Sequence, residues 1–103
     1  MLVVANRFRI AEDYQDDFVE RFRNREGAIE KQDGFVRFDL LTPGDEDTET
    51  FVALTYWESR EAFEAWTDSD AFENAHGTDA PREMFEGHPN LEIHEVAFEV
   101  TPD

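Results

Sequence analysis

The order in which strand-like and helix-like hydrophobic patterns follow one another restricts the fold of this chain more than any other feature. Apolar residues recur at helical spacing from Tyr14 to Ile29 and again from Ala62 to Trp66. Patterns typical of strands, either alternating or apolar throughout, cover Leu2 to Ile10, Phe35 to Leu41, Phe51 to Trp57 and Leu91 to Val100. The chain therefore predicts the order strand, helix, strand, strand, helix, strand.

Short polar residues mark the expected ends of the two helices. Asp13 is the predicted N-cap of the first helix, which we expect to end near Gln32. Ser59 is the predicted N-cap of the second helix. The run of N-cap residues from Thr67 to Asp70 predicts a break in this helix, followed by a restarted turn that carries His76.

This order is the ferredoxin-like βαββαβ arrangement, so we predict one α+β domain over residues 1–103, with a four-stranded antiparallel sheet and both helices on one face. The second face of such a sheet needs cover. We assign to it the apolar residues Phe35, Leu41, Phe51, Ala53, Trp57, Leu91 and Ile93. A chain of 103 residues has nothing left to bury them. Packing against the sheet of a second copy would do so, which predicts a homodimer.

The charge balance is strongly acidic, with 26 Asp and Glu against 9 Lys and Arg and a net charge of −17. A surface of this sign repels phosphate backbones and anionic membranes, so neither nucleic acid nor a membrane is an expected partner. Repulsion among the carboxylates is screened at molar salt, where the Debye length is about 3 Å. The longest apolar run, Met1 to Ala5, is too short for a transmembrane helix. We therefore predict a protein of a salt-adapted, halophilic cytoplasm.

The sequence excludes several common kinds of catalytic site. It has no cysteine, no glycine-rich phosphate loop and no serine nucleophile elbow, and its three histidines share no metal-ligand spacing. Asn6 on the apolar face of the first strand remains, together with Trp66 and His76 in the second helical region. Each has an ordinary structural explanation when taken alone, but in a βαββαβ fold the three positions border one cavity. An apolar pocket with an amide, a large ring and an imidazole suits a flat apolar cofactor ligated through nitrogen.

A longer set of spaced residues carries a family resemblance. The set consists of Asn6-Arg7-Phe8, then Trp57, Ser59 and Phe63, and finally Trp66, Ser69, Asp70, Phe72 and His76. In this pattern the chain, through about Gly77, closely resembles the IsdG-type haem-degrading monooxygenases of the antibiotic biosynthesis monooxygenase superfamily.

The resemblance implies a dimeric α+β barrel with one haem pocket in each subunit. His76 matches the axial ligand of the haem iron, and Asn6 matches an amide that hydrogen-bonds toward an iron-bound species. Trp66 matches a tryptophan that presses on the porphyrin and distorts it. Haem is then both cofactor and substrate. O2 and an external electron donor, such as a reductase, complete the reaction, because the chain has no flavin or nicotinamide motif.

The chain departs from the family pattern directly after His76. Members that bind haem tightly tend to carry basic residues there, whereas residues 77–82 of this chain read Gly-Thr-Asp-Ala-Pro-Arg. Arg25, on the otherwise apolar stripe of the first helix, is the main candidate for binding the haem propionates. Its stem could equally pack on the core with the charged head in solvent. Arg7 and Arg82 are weaker candidates.

Our leading hypothesis is a cytoplasmic haem-degrading monooxygenase that cleaves the porphyrin ring with O2 and external electrons and releases iron. One alternative is a cofactor-independent monooxygenase of the same superfamily that acts on a quinol-like aromatic, with His76 or Asn6 handling the proton and the oxyanion. The other is a dimeric barrel that binds haem without enzymatic activity.

Overall fold

A computed structural model describes residues 1–24, 29–70 and 81–102, and it has the predicted ferredoxin-like architecture. The strands and helices are β1 (Leu2–Arg9), α1 (Gln15–Arg23), β2 (Phe35–Leu41), β3 (Thr50–Trp57), α2 (Arg60–Thr67) and β4 (Asn90–Glu95). The strands form one antiparallel sheet in the order β2-β3-β1-β4. Within the described residues, no helix is both long enough and apolar enough to cross a membrane.

The pairing register corrects the predicted assignment of sheet faces. Three residues of β3 that we assigned to the second face are paired with the helix-facing residues of β1: Phe51 with Phe8, Ala53 with Asn6, and Trp57 with Leu2. Directly paired residues of antiparallel strands lie on the same face. All three therefore face the helices. Leu91 and Ile93 face the helices as well, because they pair with Asn6 and Val4.

An irregularity in β2 places Phe35 on the helix side too. The register between β2 and β3 shifts between Phe35 and Arg37, which makes Val36 an extra residue. The ring of Phe35 consequently contacts that of Trp57, with centroids 5.4 Å apart. Of the residues we assigned to the second face, Leu41 alone lies there, and it is 45% exposed.

The sheet face turned away from the helices, here called the open face, is nevertheless apolar at its centre. Its central residues are Val3, Ala5, Val52 and Leu54. Ala5 and Val52 are already buried within one subunit, whereas Val3 and Leu54 are half-buried. The predicted apolar second face therefore exists, but a different set of residues forms it.

Two separate hydrophobic clusters lie between the sheet and the helices. Cluster 1, with α2, contains Leu2, Val4, Ile29, Trp57 and Trp66, and Phe35, Ala62 and Phe63 pack against it. Cluster 2, with α1, contains Ile10, Phe18, Phe51 and Met84, and Phe8, Tyr14, Val19, Phe22, Leu40 and Phe85 pack against it. In the described part of the chain, no residue belongs to both clusters. Each helix therefore covers its own end of the sheet.

The first helix differs from the prediction at both ends. Asp13 lies in a short 3-10 turn, and the N-cap position of α1 is Tyr14, without a side-chain cap. The helix ends at Arg23 and not near Gln32, because Asn24 leaves helical geometry with φ −94° and ψ 5°. Asparagine has a low helix propensity and is favoured at such ends.

The second helix begins and ends as predicted. The Ser59 hydroxyl oxygen accepts a hydrogen bond from the backbone N–H of Ala62 at 3.2 Å, which is the geometry of an N-cap. The helix ends at Thr67, inside the predicted break. The predicted restart around His76 falls within residues 71–80, outside the described residues.

Gly34 allows α2 to lie close to the turn that precedes β2. Its φ is +82°, and a Cβ added there would lie 2.5 Å from the Cβ of Ala62. The carbonyl of Gly34 accepts a hydrogen bond from the backbone N–H of Glu58 at 2.8 Å, just before α2. This close approach sets the position of α2, and with it the position of Trp66.

The last strand is shorter than predicted. β4 ends at Glu95, which pairs with Leu2 at the start of β1, and the backbone N–H of Val96 donates a further hydrogen bond to the carbonyl of Met1 at 2.9 Å. The alternating residues Phe98 and Val100 continue unpaired and are 81% and 83% exposed. We call residues 96–102 the C-terminal arm.

Candidate functional site

The two clusters leave a strip of helix-facing sheet between them. Asn6 of β1 pairs with Ala53 of β3, and neither residue belongs to a cluster. Thr55 lies two residues further along β3 on the same face, paired with Val4. We call the surface formed by Asn6, Ala53 and Thr55 the central floor. All three residues are half-buried, and Asn6 and Thr55 are the polar ones.

The unpaired side-chain oxygen of Asn6 is evidence for a binding site on the central floor. Asn6 Oδ1 is inaccessible to solvent, yet no group in residues 1–24, 29–70 or 81–102 donates a hydrogen bond to it. An unpaired buried acceptor costs about 1–3 kcal/mol, and native structures contain few of them. A ligand with a polar atom beside this amide would remove that cost.

Thr55 is the second polar group of the central floor, and our sequence analysis did not assign it a functional role. Its Oγ1 accepts a hydrogen bond from the indole N–H of Trp57 at 3.0 Å. Trp57 is completely buried, so this contact is held by the surrounding core. The sequence feature that could have identified Thr55 is its position as the single threonine in the otherwise apolar and aromatic run from Phe51 to Trp57.

Aromatic side chains border the central floor on both sides. On the α2 side, Trp66 is 4% exposed and belongs to the same cluster as Val4, two positions from Asn6 on β1. On the α1 side, Phe22 and Phe38 stack with ring centroids 5.8 Å apart and an interplanar angle of 19°. Flat apolar walls around a floor with few polar groups suit a planar, largely apolar ligand.

Two of the four predicted site residues are described by the structure. Asn6 and Trp66 lie on the same side of the sheet, and Trp66 packs in cluster 1 with Val4, two residues from Asn6. His76 and Arg25 lie outside the described residues. Their roles therefore remain predictions from the sequence.

Arg7 is not available for ligand binding on the helix side. It lies on the open face, where its Nε donates a hydrogen bond to Glu92 Oε1 at 3.1 Å. The hydrogen bond from Arg7, followed by that from His94, holds the pKa of Glu92 below its ordinary value. Arg82 is exposed and begins a 3-10 turn. Our suggestion of Arg7 as a propionate-binding residue is therefore wrong.

A second charged group lies on the other side of the open face. Arg37 Nη2 contacts Asp39 Oδ2 at 3.1 Å and donates to the Tyr56 hydroxyl at 3.3 Å. The hydrogen bond with Tyr56 and the charge of Asp39 raise the pKa of Arg37 above its ordinary value. The apolar centre of the open face is thus flanked by two arginine-centred clusters.

A cavity of about 450 Å³ lies at the Leu2 end of the sheet, away from Asn6. Its lining has one basic residue, Arg60, against three acidic residues, Glu58, Glu61 and Glu95. These repel an anionic ligand, and the described part of the chain contains no group of three or more metal-ligating side chains. The cavity therefore does not compete with the central floor as a candidate site.

Comparison with known proteins identifies the family. Residues 1–78 match the family model described as antibiotic biosynthesis monooxygenase. The chain belongs to this family. It is also 36% identical over 77 residues to a staphylobilin-producing heme oxygenase of Staphylococcus haemolyticus strain JCSC1435, an alignment that covers 74% of this chain and 73% of the relative.

The chain is also similar to solved structures of other proteins. MhuD, a heme-degrader from Mycobacterium tuberculosis crystallised with two hemes in its active site, superposes with a TM-score of 0.81 at 31% identity, over 98% of this chain and 100% of MhuD. SnoaB, a cofactor-independent oxygenase from Streptomyces nogalater, has a TM-score of 0.76 at 22% identity, over 98% of this chain and 97% of SnoaB, and shares the fold. The family resemblance stated from the sequence is confirmed.

Proposed function

We propose that this protein is a haem-degrading monooxygenase, which opens the porphyrin ring with O2 and external electrons and releases iron. The observation that carries the proposal is the buried oxygen of Asn6, which lacks a partner in the described residues and lies on the central floor, two residues from Val4 of the cluster that contains Trp66. Membership of the monooxygenase family supports it. So do two relatives above 30% identity, a staphylobilin-producing heme oxygenase and the heme-degrader MhuD.

The described residues fit a haem in their chemistry. The porphyrin plane is flat and apolar, as are the walls formed by Trp66 and by the stacked rings of Phe22 and Phe38. The amide of Asn6 offers one polar contact, and this matches a ligand whose centre binds small polar molecules. We assign the iron ligand to His76, because neutral imidazole binds iron well, and the propionate contact to Arg25.

Each residue has a distinct part in this proposal. When bound, haem supplies the iron that activates dioxygen and the carbon skeleton that is oxidised. Asn6 donates from Nδ2 and accepts at Oδ1, so it can hold a polar group at a fixed point of the central floor. Trp66 is held rigidly by cluster 1, and its carbonyl accepts a hydrogen bond from the Ser69 hydroxyl at 2.6 Å. A macrocycle pressed against the indole of Trp66 would contact a rigid surface, because a closely packed interior deforms little.

A hemin titration of the apo-protein in molar salt tests the proposal. We expect the Soret band to shift and to saturate at about one haem per subunit, and we expect bleaching when ascorbate is added in air. Absence of binding would contradict the proposal and leave the quinol-type oxygenase to be tested. Binding without bleaching would favour the non-enzymatic haem-binding barrel.

Variants test the assigned residues separately. His76→Ala should lose the ligated spectrum, whereas His88→Ala, at an exposed histidine, should keep it. An unchanged spectrum in His76→Ala would refute its role as the ligand. Asn6→Ala should bind hemin but degrade it slowly, and full turnover would show that the amide has a structural role only.

We also propose that the protein is a homodimer, a dimeric α+β barrel in which the open faces of two copies pack together. The apolar centre of the open face supports this, as do Phe98 and Val100 of the C-terminal arm, which are 81% and 83% exposed in one subunit. Phe98→Ala should weaken the dimer in sedimentation experiments at molar salt. A monomeric mass for the unmodified protein would contradict the proposal.

The net charge of −17 supports a salt-adapted cytoplasm as the place of action. The same charge disfavours the approach of anionic propionates at low salt. Haem binding should therefore strengthen as the salt concentration rises.

A further inference from the structure

Thr55 is the one hydroxyl residue on the helix-facing side of β3, where its neighbours Ala53 and Trp57 are apolar or aromatic. A polar residue in such a position requires hydrogen-bond partners, since burial without them is costly. The partner described by the structure is the indole N–H of Trp57, which donates to Thr55 Oγ1 at 3.0 Å.

This contact uses one of the two acceptor lone pairs of the hydroxyl group and does not use its hydrogen. Trp57 uses a lone pair of Oγ1 and leaves the hydroxyl hydrogen free to be donated elsewhere. Because Trp57 is completely buried and cannot move away, its N–H also restricts the direction in which that hydrogen can point. In the described residues, no acceptor for this hydrogen accompanies the Trp57 contact.

Thr55 and Asn6 are neighbours in the register of β1 and β3. Asn6 pairs with Ala53 and Thr55 pairs with Val4, so Asn6 and Thr55 are diagonal neighbours on one face. Diagonal neighbours are about 7–8 Å apart, and the Asn6 side chain shortens this gap. A single acceptor atom placed between the two side chains could accept one hydrogen bond from the Thr55 hydroxyl and one from Asn6 Nδ2, each of about 2.8 Å.

We infer that Thr55 donates its hydroxyl hydrogen to the polar atom that Asn6 contacts in the bound ligand. The inference rests on the proposed function, because the atom belongs to haem or to a small acceptor bound at its iron. Asn6 Nδ2 and the Thr55 hydroxyl then both donate to that acceptor, from two sides of the central floor. Thr55 is thus a second polar contact for the ligand.

The competing explanation is that Thr55 serves only to accept the Trp57 N–H. A loss of ligand affinity in Thr55→Val alone cannot separate the two roles, because this variant also leaves the buried indole N–H without an acceptor. Trp57→Phe removes the indole N–H, so Thr55 is no longer needed as the acceptor for a buried donor. The informative comparison is therefore Thr55→Val made in the Trp57→Phe background.

The experiment measures fluoride binding to the ferric hemin complex, since fluoride is a small, strong hydrogen-bond acceptor and no turnover is involved. We expect Thr55→Val to weaken fluoride binding about tenfold in both backgrounds, and to shift the charge-transfer band of the fluoride complex. Thr55→Ser keeps the hydroxyl and should restore both properties. Thr42→Val, at an exposed threonine, is the matched control and should change neither.

The outcomes separate this inference from the proposed function. If hemin does not bind the unmodified protein, the proposed function fails and the inference fails with it. If hemin binds and Asn6→Ala weakens fluoride binding, but Thr55→Val has no effect in the Trp57→Phe background, only the inference is overturned. If Trp57→Phe does not fold, the charge-transfer band of the fluoride complex in Thr55→Val decides between the two roles. A purely structural role of Thr55 leaves the position of that band unchanged.

Discussion

A methyl group at position 34 would collide with α2, and the resulting loss of stability can be worked out from the structure. Gly34 has a φ of +82°, where an alanine costs about 1–2 kcal/mol. The new Cβ would also lie 2.5 Å from the Cβ of Ala62, far inside the contact distance of about 3.5–4.0 Å. Overpacking of this kind costs about 1–3 kcal/mol. We expect Gly34→Ala to lower the free energy of unfolding by about 2–5 kcal/mol.

Alanine substitutions at two other glycines separate the cost of the backbone conformation from the cost of the contact with Ala62. Gly87 has a φ of +95°, and no atom of the described residues lies within 4 Å of an added Cβ, so Gly87→Ala should show the backbone cost alone, about 1–2 kcal/mol. Gly44 also has open space but no such φ, and Gly44→Ala should be neutral or stabilising by up to about 1 kcal/mol. Denaturant unfolding in molar potassium chloride, followed by tryptophan fluorescence, measures all three. Equal losses at Gly34 and Gly87 would refute the reasoning, because the contact with Ala62 would then cost nothing.

Three further predictions concern the core, the open face and the charge. Phe18→Ala should lower the free energy of unfolding by about 3–5 kcal/mol, because Phe18 is 3% exposed in cluster 2; a loss below about 1 kcal/mol in denaturant titrations would contradict this. The hydrogen bond from Arg7, then that from His94, lowers the pKa of Glu92, so this carboxylate stabilises the fold above the ordinary glutamate pKa and loses the effect as the pH falls through the lowered value. An NMR titration should show the pKa of Glu92 rising in Arg7→Ala, and an unchanged pKa would be inconsistent with the ion pair. Lowering potassium chloride from molar to millimolar should reduce the folded fraction measured by circular dichroism, given the net charge of −17, and equal stability at both concentrations would argue against salt adaptation.

The order of elements was predictable because hydrophobic periods are local properties of the sequence. The assignment of faces was not predictable from the same pattern. The run from Phe51 to Trp57 is apolar on both faces, so its period does not indicate which face is buried. Pairing with β1 decides it, and the extra residue Val36 reverses the orientation expected for Phe35.

The ends of elements depended on their surroundings to different degrees. Ser59 acts within its own helix turn, so the start of α2 could be read from the sequence. β4 stops at Glu95, opposite the first residue of β1, although the alternation continues to Val100. Pairing of this kind is set by another part of the chain.

The candidate site was partly predictable for a similar reason. Asn6 interrupts an apolar face, and this makes it visible in the sequence as a residue with an unusual position. Thr55 interrupts its strand in the same way, but the role inferred for it depends on the contact with Trp57 and on its diagonal position relative to Asn6. Both relations require the three-dimensional register.

The division into two clusters has a consequence for how the domain opens. β1 and β3 run beneath both clusters, so their amide hydrogens should exchange with solvent only when the whole domain unfolds. α1 and α2 each rest on one cluster, and each helix can exchange through a partial opening that leaves the other cluster packed. Such a partial opening would uncover the central floor at a free-energy cost below that of global unfolding. A planar ligand could then enter while the sheet stays intact.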